Sequence, residues 1–164
     1  MTGPGRPFGG MTWSIKESLL DYVGRAHGEV TLADGALCNQ GSFSWPLAVA
    51  SGQEEDGTLE LRFDGSVVLQ AHGGMFQVGF TDLVLRLEAD ELRVLSDGIS
   101  DEPFLTGTYR RLPAEYGVAL ISDAPRLLEA GVDAFGGNYA AGTAFDPLVV
   151  VFNEPDWTLS RQTP

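Results

Sequence analysis

The chain is poor in the residues on which most cofactor and metal chemistry rests: its 164 residues include one cysteine, two histidines and one lysine. Cys38 alone excludes an intramolecular disulfide and any multi-cysteine zinc site. Lys16 as the single lysine, with no glycine-rich loop ending in Lys-Ser or Lys-Thr, excludes a phosphate-binding loop of the nucleoside-triphosphate enzymes. Basic charge is scarce as well: 10 Lys+Arg stand against 23 Asp+Glu, a net of -13. Such a chain repels phosphate backbones and anionic lipid, so nucleic acid and membrane surfaces are not its expected partners. No run approaches the roughly 18 apolar residues of a membrane span. The Pro- and Gly-rich opening Met1–Gly10 also lacks the apolar stretch of a signal peptide, which reads as a cytoplasmic protein. With only His27 and His72 available, a metal site has to lean on tyrosine, carboxylate or one of these two imidazoles.

Catalytic constellations are missing too. There is no Gly-x-Ser-x-Gly elbow, and no serine is nominated as partner of either histidine. The acidic pairs Glu54-Glu55-Asp56 and Asp90-Glu91 sit in polar turn segments and read as solvated loops. The expectation is a protein that is not an enzyme. Cys38, in a short strand-like segment, reads as a small, partly buried hydrophobe.

What is present is a globular composition, 43% apolar and 20% charged, enough for one compact domain with a real core. The expected organisation is a flexible lead over residues 1–11, a single domain over 12–155 and a loosely held tail over 156–164. From Thr12 to Val23, Ile15, Leu19, Tyr22 and Val23 follow helical spacing, Ser14 and Glu17 have the form of a capping box, and Gly24 supplies a stop. On that pattern alone Tyr22 is a core-facing aromatic.

Beyond the helix, glycines and acidic turns divide the chain into β-like runs: Glu29–Leu32, Ser42–Val49, Thr58–Phe63, Ser66–Ala71, Met75–Phe80, Leu83–Leu87 and Leu92–Leu95. Thr106–Leu112, Val118–Ile121 and Leu148–Phe152 continue the series. Asp64-Gly65 and Glu88–Glu91 are each a hairpin or bend. Pro125–Ala130 fits a short second helix or a strand equally. The fold class is therefore mainly β: an antiparallel, sandwich-like domain with a short N-terminal helix covering one end or edge.

Three segments resemble one family. Trp13-Ser14-Ile15-Lys16-Glu17-Ser18-Leu19-Leu20-Asp21-Tyr22-Val23 is similar to the opening of the HtaA domain of actinobacterial haem-uptake proteins. Gly65–Phe76 resembles that domain's strand ending in a His-x-Gly turn, here His72-Gly73-Gly74. Leu127–Gly131, Ala134–Tyr139, Gly142-Thr143 and Asp146–Leu148 look like its closing segment. The resemblance implies ferric haem b, with Tyr22 as the axial ligand and His72 as its support.

The chemistry is coherent. A phenolate is a hard anionic oxygen donor suited to ferric iron, and tyrosine is a known haem ligand type. The phenol's ordinary pKa is about 10, so ligation at neutral pH needs the iron's charge and a hydrogen-bond partner, which a histidine provides. Trp13, Met75, Phe76 and Phe80 are the apolar wall candidates. Arg25 and His27, just past the helix, are either propionate partners or ordinary surface groups; at a helix C-terminus Arg25 also opposes the dipole. Two functions compete: a haem carrier, buffer or sensor, with a haem-exchange protein or a second copy as partner, or an HtaA-like scaffold without ligand that acts through protein contacts or self-association.

Overall fold

A computed structural model describes residues 9–53, 58–114 and 117–153. The larger sheet runs, in spatial order, β11 (Arg110–Ala114), β12 (Gly117–Ser122), β14 (Leu148–Phe152), β1 (Gly9–Trp13), β4 (Ser42–Gln53) and β5 (Thr58–Phe63). It continues through β8 (Val84–Glu88), β9 (Glu91–Ser96), β10 (Ser100–Thr108) and β13 (Arg126–Leu127), with β3 (Leu37–Asn39) added beside β4. A smaller sheet holds β2 (Glu29–Ala33), β6 (Ser66–Ala71) and β7 (Phe76–Thr81). Each ladder is antiparallel. The helices are α1 (Glu17–Arg25) and the one-turn α2 (Glu129–Val132).

The alternation read in the sequence is what the sheets bury. Leu59, Leu61 and Phe63 of β5, Val67, Leu69 and Ala71 of β6, and Leu148, Val150 and Phe152 of β14 all point inward, as a period of two requires when one face meets a core. β4 carries the large sheet around a corner. Phe43–Pro46 pair with β1, and from Leu47 onward the strand pairs with β5 after a register shift. Pro46, which has no N–H to donate, marks the change of partner.

Local sequence signals fail where long-range pairing outcompetes them. Thr12 and Trp13 are not helical: they close β1, laddered to β14 and β4, and Ile15 turns the chain with a left-handed φ of 64°. The helix starts only at Glu17, its N-cap is Lys16 without a side-chain cap, and the Ser14–Glu17 capping box does not form. Gly24 lies inside the helix rather than stopping it. The domain's first strand begins at Gly9, ahead of the expected boundary at residue 12, for the same reason. Asp64-Gly65 is a bend between sheets, because β5 and β6 do not pair, whereas Glu88–Glu91 is a hairpin with Ala89 at φ 56°. Met75 falls in a turn ahead of β7, the run Thr106–Leu112 breaks at Tyr109 into β10 and β11, and Pro125–Ala130 divides between β13 and α2. Cys38 is exposed, not partly buried, since β3 is an edge strand beside β4. The expected tail lies outside the described residues, as do residues 1–8 of the lead.

The small sheet is tied to the large one through β7. The buried Trp45 indole N–H donates to the Phe80 carbonyl at 3.1 Å. The Phe80 ring meets Trp13 at 5.8 Å, Phe135 at 6.0 Å and Phe104 at 6.2 Å between centroids, geometry in which aromatic pairs add to area burial. α1 rests Leu19 and Val23 in the same core and packs against β6. At the far edge the exposed Arg110 makes a bidentate pair with Asp123, 3.0 and 3.1 Å, which raises the guanidinium's pKa above its ordinary value; exposed pairs add little to stability.

Phe80→Ala is expected to cost about 3–5 kcal/mol in urea unfolding, the usual range for deleting a buried phenylalanine ring. A loss within measurement error would show that Phe80 does not join the sheets.

Candidate functional site

The β6–β7 connection is built to present a side chain. Ala71 pairs with Phe76, leaving His72-Gly73-Gly74-Met75 to reverse the chain. His72, Gly73 and Gly74 have φ of 53°, 67° and 96°. Two consecutive glycines meet that demand without a Cβ penalty, and histidine is one of the residues that tolerates the left-handed region. The turn sets the exposed His72 beside α1.

There the half-buried Tyr22 ring packs edge-on against His72, with 5.7 Å between centroids and 63° between planes. It also meets Phe76 at 5.6 Å and 87°. Gly136 backs Phe76, since a Cβ at that position would lie 3.5 Å from the phenylalanine ring. Tyr22 thus lies between an imidazole and a buried phenyl, and neither its hydroxyl nor the imidazole has a hydrogen-bond partner among the described residues.

A second polar group lies one helical turn away. Ser18 Oγ and Tyr139 Oη are 3.0 Å apart. Lys16 Nζ donates to the Ala144 carbonyl at 2.8 Å and sits 5.5 and 5.6 Å from the Tyr139 and Phe145 ring centres. Ser18 and Tyr22 are i, i+4 neighbours on α1 and so share a face. That spacing was visible in the sequence for Ser18. Tyr139 carried only the weaker signal of an aromatic in a glycine-rich stretch.

The other sequence candidates fall in different places. Met75 is 91% exposed on the shoulder of the turn. Trp13 is buried, its indole N–H donates to the Asp146 carbonyl at 2.9 Å, and its rings meet Trp45, Phe80 and Phe145 rather than Tyr22. Trp13 therefore stands behind Phe145 and Tyr139, and Phe80 lies in the junction of the two sheets. Arg25 is exposed in the last turn of α1 rather than past it, His27 is exposed just beyond the helix, and Arg25 has no ion pair among the described residues. No cluster of three His, Cys, Asp or Glu side chains suited to a metal exists among the described residues. A recess of about 320 Å³ lies elsewhere, over β4, β5, β8 and β9; in it Glu60 pairs with Arg86 across the sheet and Glu91 with Arg93 along β9.

A curled antiparallel sheet closed by a small second sheet, with a helix tyrosine set against a histidine turn, defines the class of domain. Residues 9–151 match the HtaA family, described as Htaa, and the chain belongs to that family. Among solved structures it is similar to the C-terminal domain of HtaA from Corynebacterium glutamicum, with a TM-score of 0.78 and 18% identity over 92% of this chain and 100% of that one. It is also similar to the N-terminal domain of the same protein, with a TM-score of 0.68 and 21% identity over 90% and 97% of the two chains. The heme binding protein HtaB of that organism gives a TM-score of 0.68 and 20% identity over 90% and 93%. No curated protein matches the chain. No helix among the described residues is long and apolar enough to cross a membrane.

Gly74→Ala is expected to destabilise the domain by about 1–2 kcal/mol, because a Cβ is strained in the left-handed region. Met75→Ser, at a fully solvated position, should stay within about 0.5 kcal/mol. Thermal or urea unfolding of the two variants checks the contrast, and equal effects would contradict the turn described.

Proposed function

We propose that this chain binds ferric haem b, with Tyr22 as the axial ligand and His72 as hydrogen-bond partner of the phenolate, and that it serves as a haem carrier, buffer or sensor rather than an enzyme. The observation that carries this reading is the edge-on packing of the Tyr22 ring against His72, with neither the hydroxyl nor the imidazole hydrogen-bonded among the described residues. The donor set fits the group: a hard anionic oxygen beside a nitrogen able to hold it, in a surround with no competing thiol. Bound haem would supply a ferric centre whose positive charge favours the ionised form of the phenol oxygen.

The chain's own residues supply the rest. His72 fixes the phenolate's orientation and shares its charge. Phe76 gives an apolar wall, Met75 is free to cover an apolar ligand face, and Trp13 braces the Phe145–Tyr139 side from behind. The Ser18–Tyr139 hydroxyls, one turn from Tyr22, and the Lys16 ammonium at the start of α1 are of the kind that binds carboxylates. Membership of the HtaA family and the heme binding named for HtaB support the choice of ligand.

Hemin titration followed by absorbance is the test. The wild-type chain should give a saturable spectrum with a phenolate-to-iron charge-transfer band, and Tyr22→Phe should abolish that band. His72→Ala should weaken binding by about 10–100-fold, as loss of a group that orients a metal ligand does. Absence of saturable binding by the wild-type chain would overturn the proposal and leave the scaffold reading in its place.

A further inference from the structure

β2 is the one strand of the small sheet with an unguarded edge. It pairs with β6 on one side and with no strand on the other among the described residues, and all five of its residues are exposed. Other edges are blunted. β11 carries Arg110, Arg111 and Pro113, β13 is two residues long and β3 three. The far side of β7 is held by Ser96, whose Oγ bonds the Gly79 carbonyl and the Thr81 N–H. Glu29–Ala33 contains no lysine, proline or bulge, the usual devices against edge pairing, and its register with β6 is unbroken.

The exposed face of β2 is also the wrong one for a solvated strand. Val30 lies opposite Leu69 and Leu32 opposite Val67, so these four side chains share a face. Leu69 and Val67 are fully buried, while Val30 and Leu32 remain 45% and 38% exposed. The core-facing side of the sheet thus overhangs its core by one strand.

We infer that β2 pairs with β2 of a second copy of this chain, antiparallel about Thr31, which merges two three-stranded sheets into one of six strands. The segment is self-complementary in that register. Thr31 meets its own copy, Val30 meets Leu32 of the second copy, and Glu29 meets Ala33 rather than another carboxylate. Asp34 falls opposite Gly28, next to His27. The apolar row Val67–Leu32 then continues without a break into Val30–Leu69 of the other copy, and opposed apolar and threonine pairs are favourable across an antiparallel ladder. A two-fold axis through Thr31 uses the same patch on both copies and closes the assembly at two. The net charge of -13 on each copy opposes association at low salt and is screened as salt rises.

Sedimentation of the full chain should show a monomer–dimer equilibrium that shifts toward dimer as NaCl is raised from about 0.05 to 0.5 M, and Leu32→Lys should weaken it by about tenfold or more. The register has its own readout. Across an antiparallel pair, symmetry-related Cα atoms lie about 4.5–5.5 Å apart, within the roughly 4.4–6.8 Å span of a disulfide. Thr31→Cys in a Cys38→Ser background should therefore form a disulfide-linked dimer under oxidised glutathione. A wild-type chain that stays monomeric at every salt concentration would overturn the inference, and so would a dimer that Thr31→Cys fails to link.

Discussion

The structure depends on how β7 is fastened to the large sheet. The Trp45 N–H to Phe80 carbonyl bond and the Phe80 ring, set among Trp13, Phe104 and Phe135, hold the small sheet at one depth and one angle. Phe76 opens that same strand and His72 lies in the turn leading into it, so their position relative to α1 is a consequence of the aromatic junction and not of the turn alone. The junction reaches the other wall of the site as well. Phe135 touches Tyr139, Tyr139 touches Phe145, and Phe145 touches Trp13. The two segments that flank the Ser18–Tyr22 face of α1 are thus braced against one packed core, which transmits displacement because it has little free volume.

Charge is distributed with the same economy. Arg62 and Arg86 pair with Glu60, Arg93 with Glu91 and Arg110 with Asp123, all on outward sheet surfaces. Lys16, Arg25 and Arg126 have no carboxylate partner among the described residues, and Lys16 and Arg126 donate instead to the carbonyls of Ala144 and Gly142. These three cations of the described residues lie along α1 and beside the loop that holds Tyr139. For an anionic ligand such as haem, long-range attraction is unfavourable at a net charge of -13, and local groups of this kind have to carry recognition at contact.

Strands were legible wherever one face is buried, because alternation then records burial directly: Thr58–Phe63, Ser66–Ala71 and Leu148–Phe152 stand as read. The helix start was not, since Thr12 and Trp13 look helical by spacing but gain more from pairing with β4 and β14, a contact spanning more than a hundred residues on one side. The partnering of strands was hidden for a related reason: nothing local in Asp64-Gly65 distinguishes a hairpin from a bend that sends β5 and β6 to different sheets. Tyr22, His72 and Phe76, named from sequence, come together in the fold. Met75 and Trp13 mark the limit of such reasoning, because one is solvated and the other buried for reasons set by the turn and by the core. Tyr139, read only as part of the closing segment, was not singled out for the site because its link to Ser18 exists only once the chain has closed on itself.

The central claim is that the Tyr22 oxygen holds ferric haem iron. Resonance Raman spectroscopy of the hemin complex, excited in the charge-transfer band, tests it most directly, with ring-deuterated tyrosine used to mark phenolate modes. The account predicts tyrosinate bands that shift on deuteration in the wild-type chain and are missing from Tyr22→Phe. A saturated wild-type complex without such bands, or the same bands persisting in Tyr22→Phe, would contradict it.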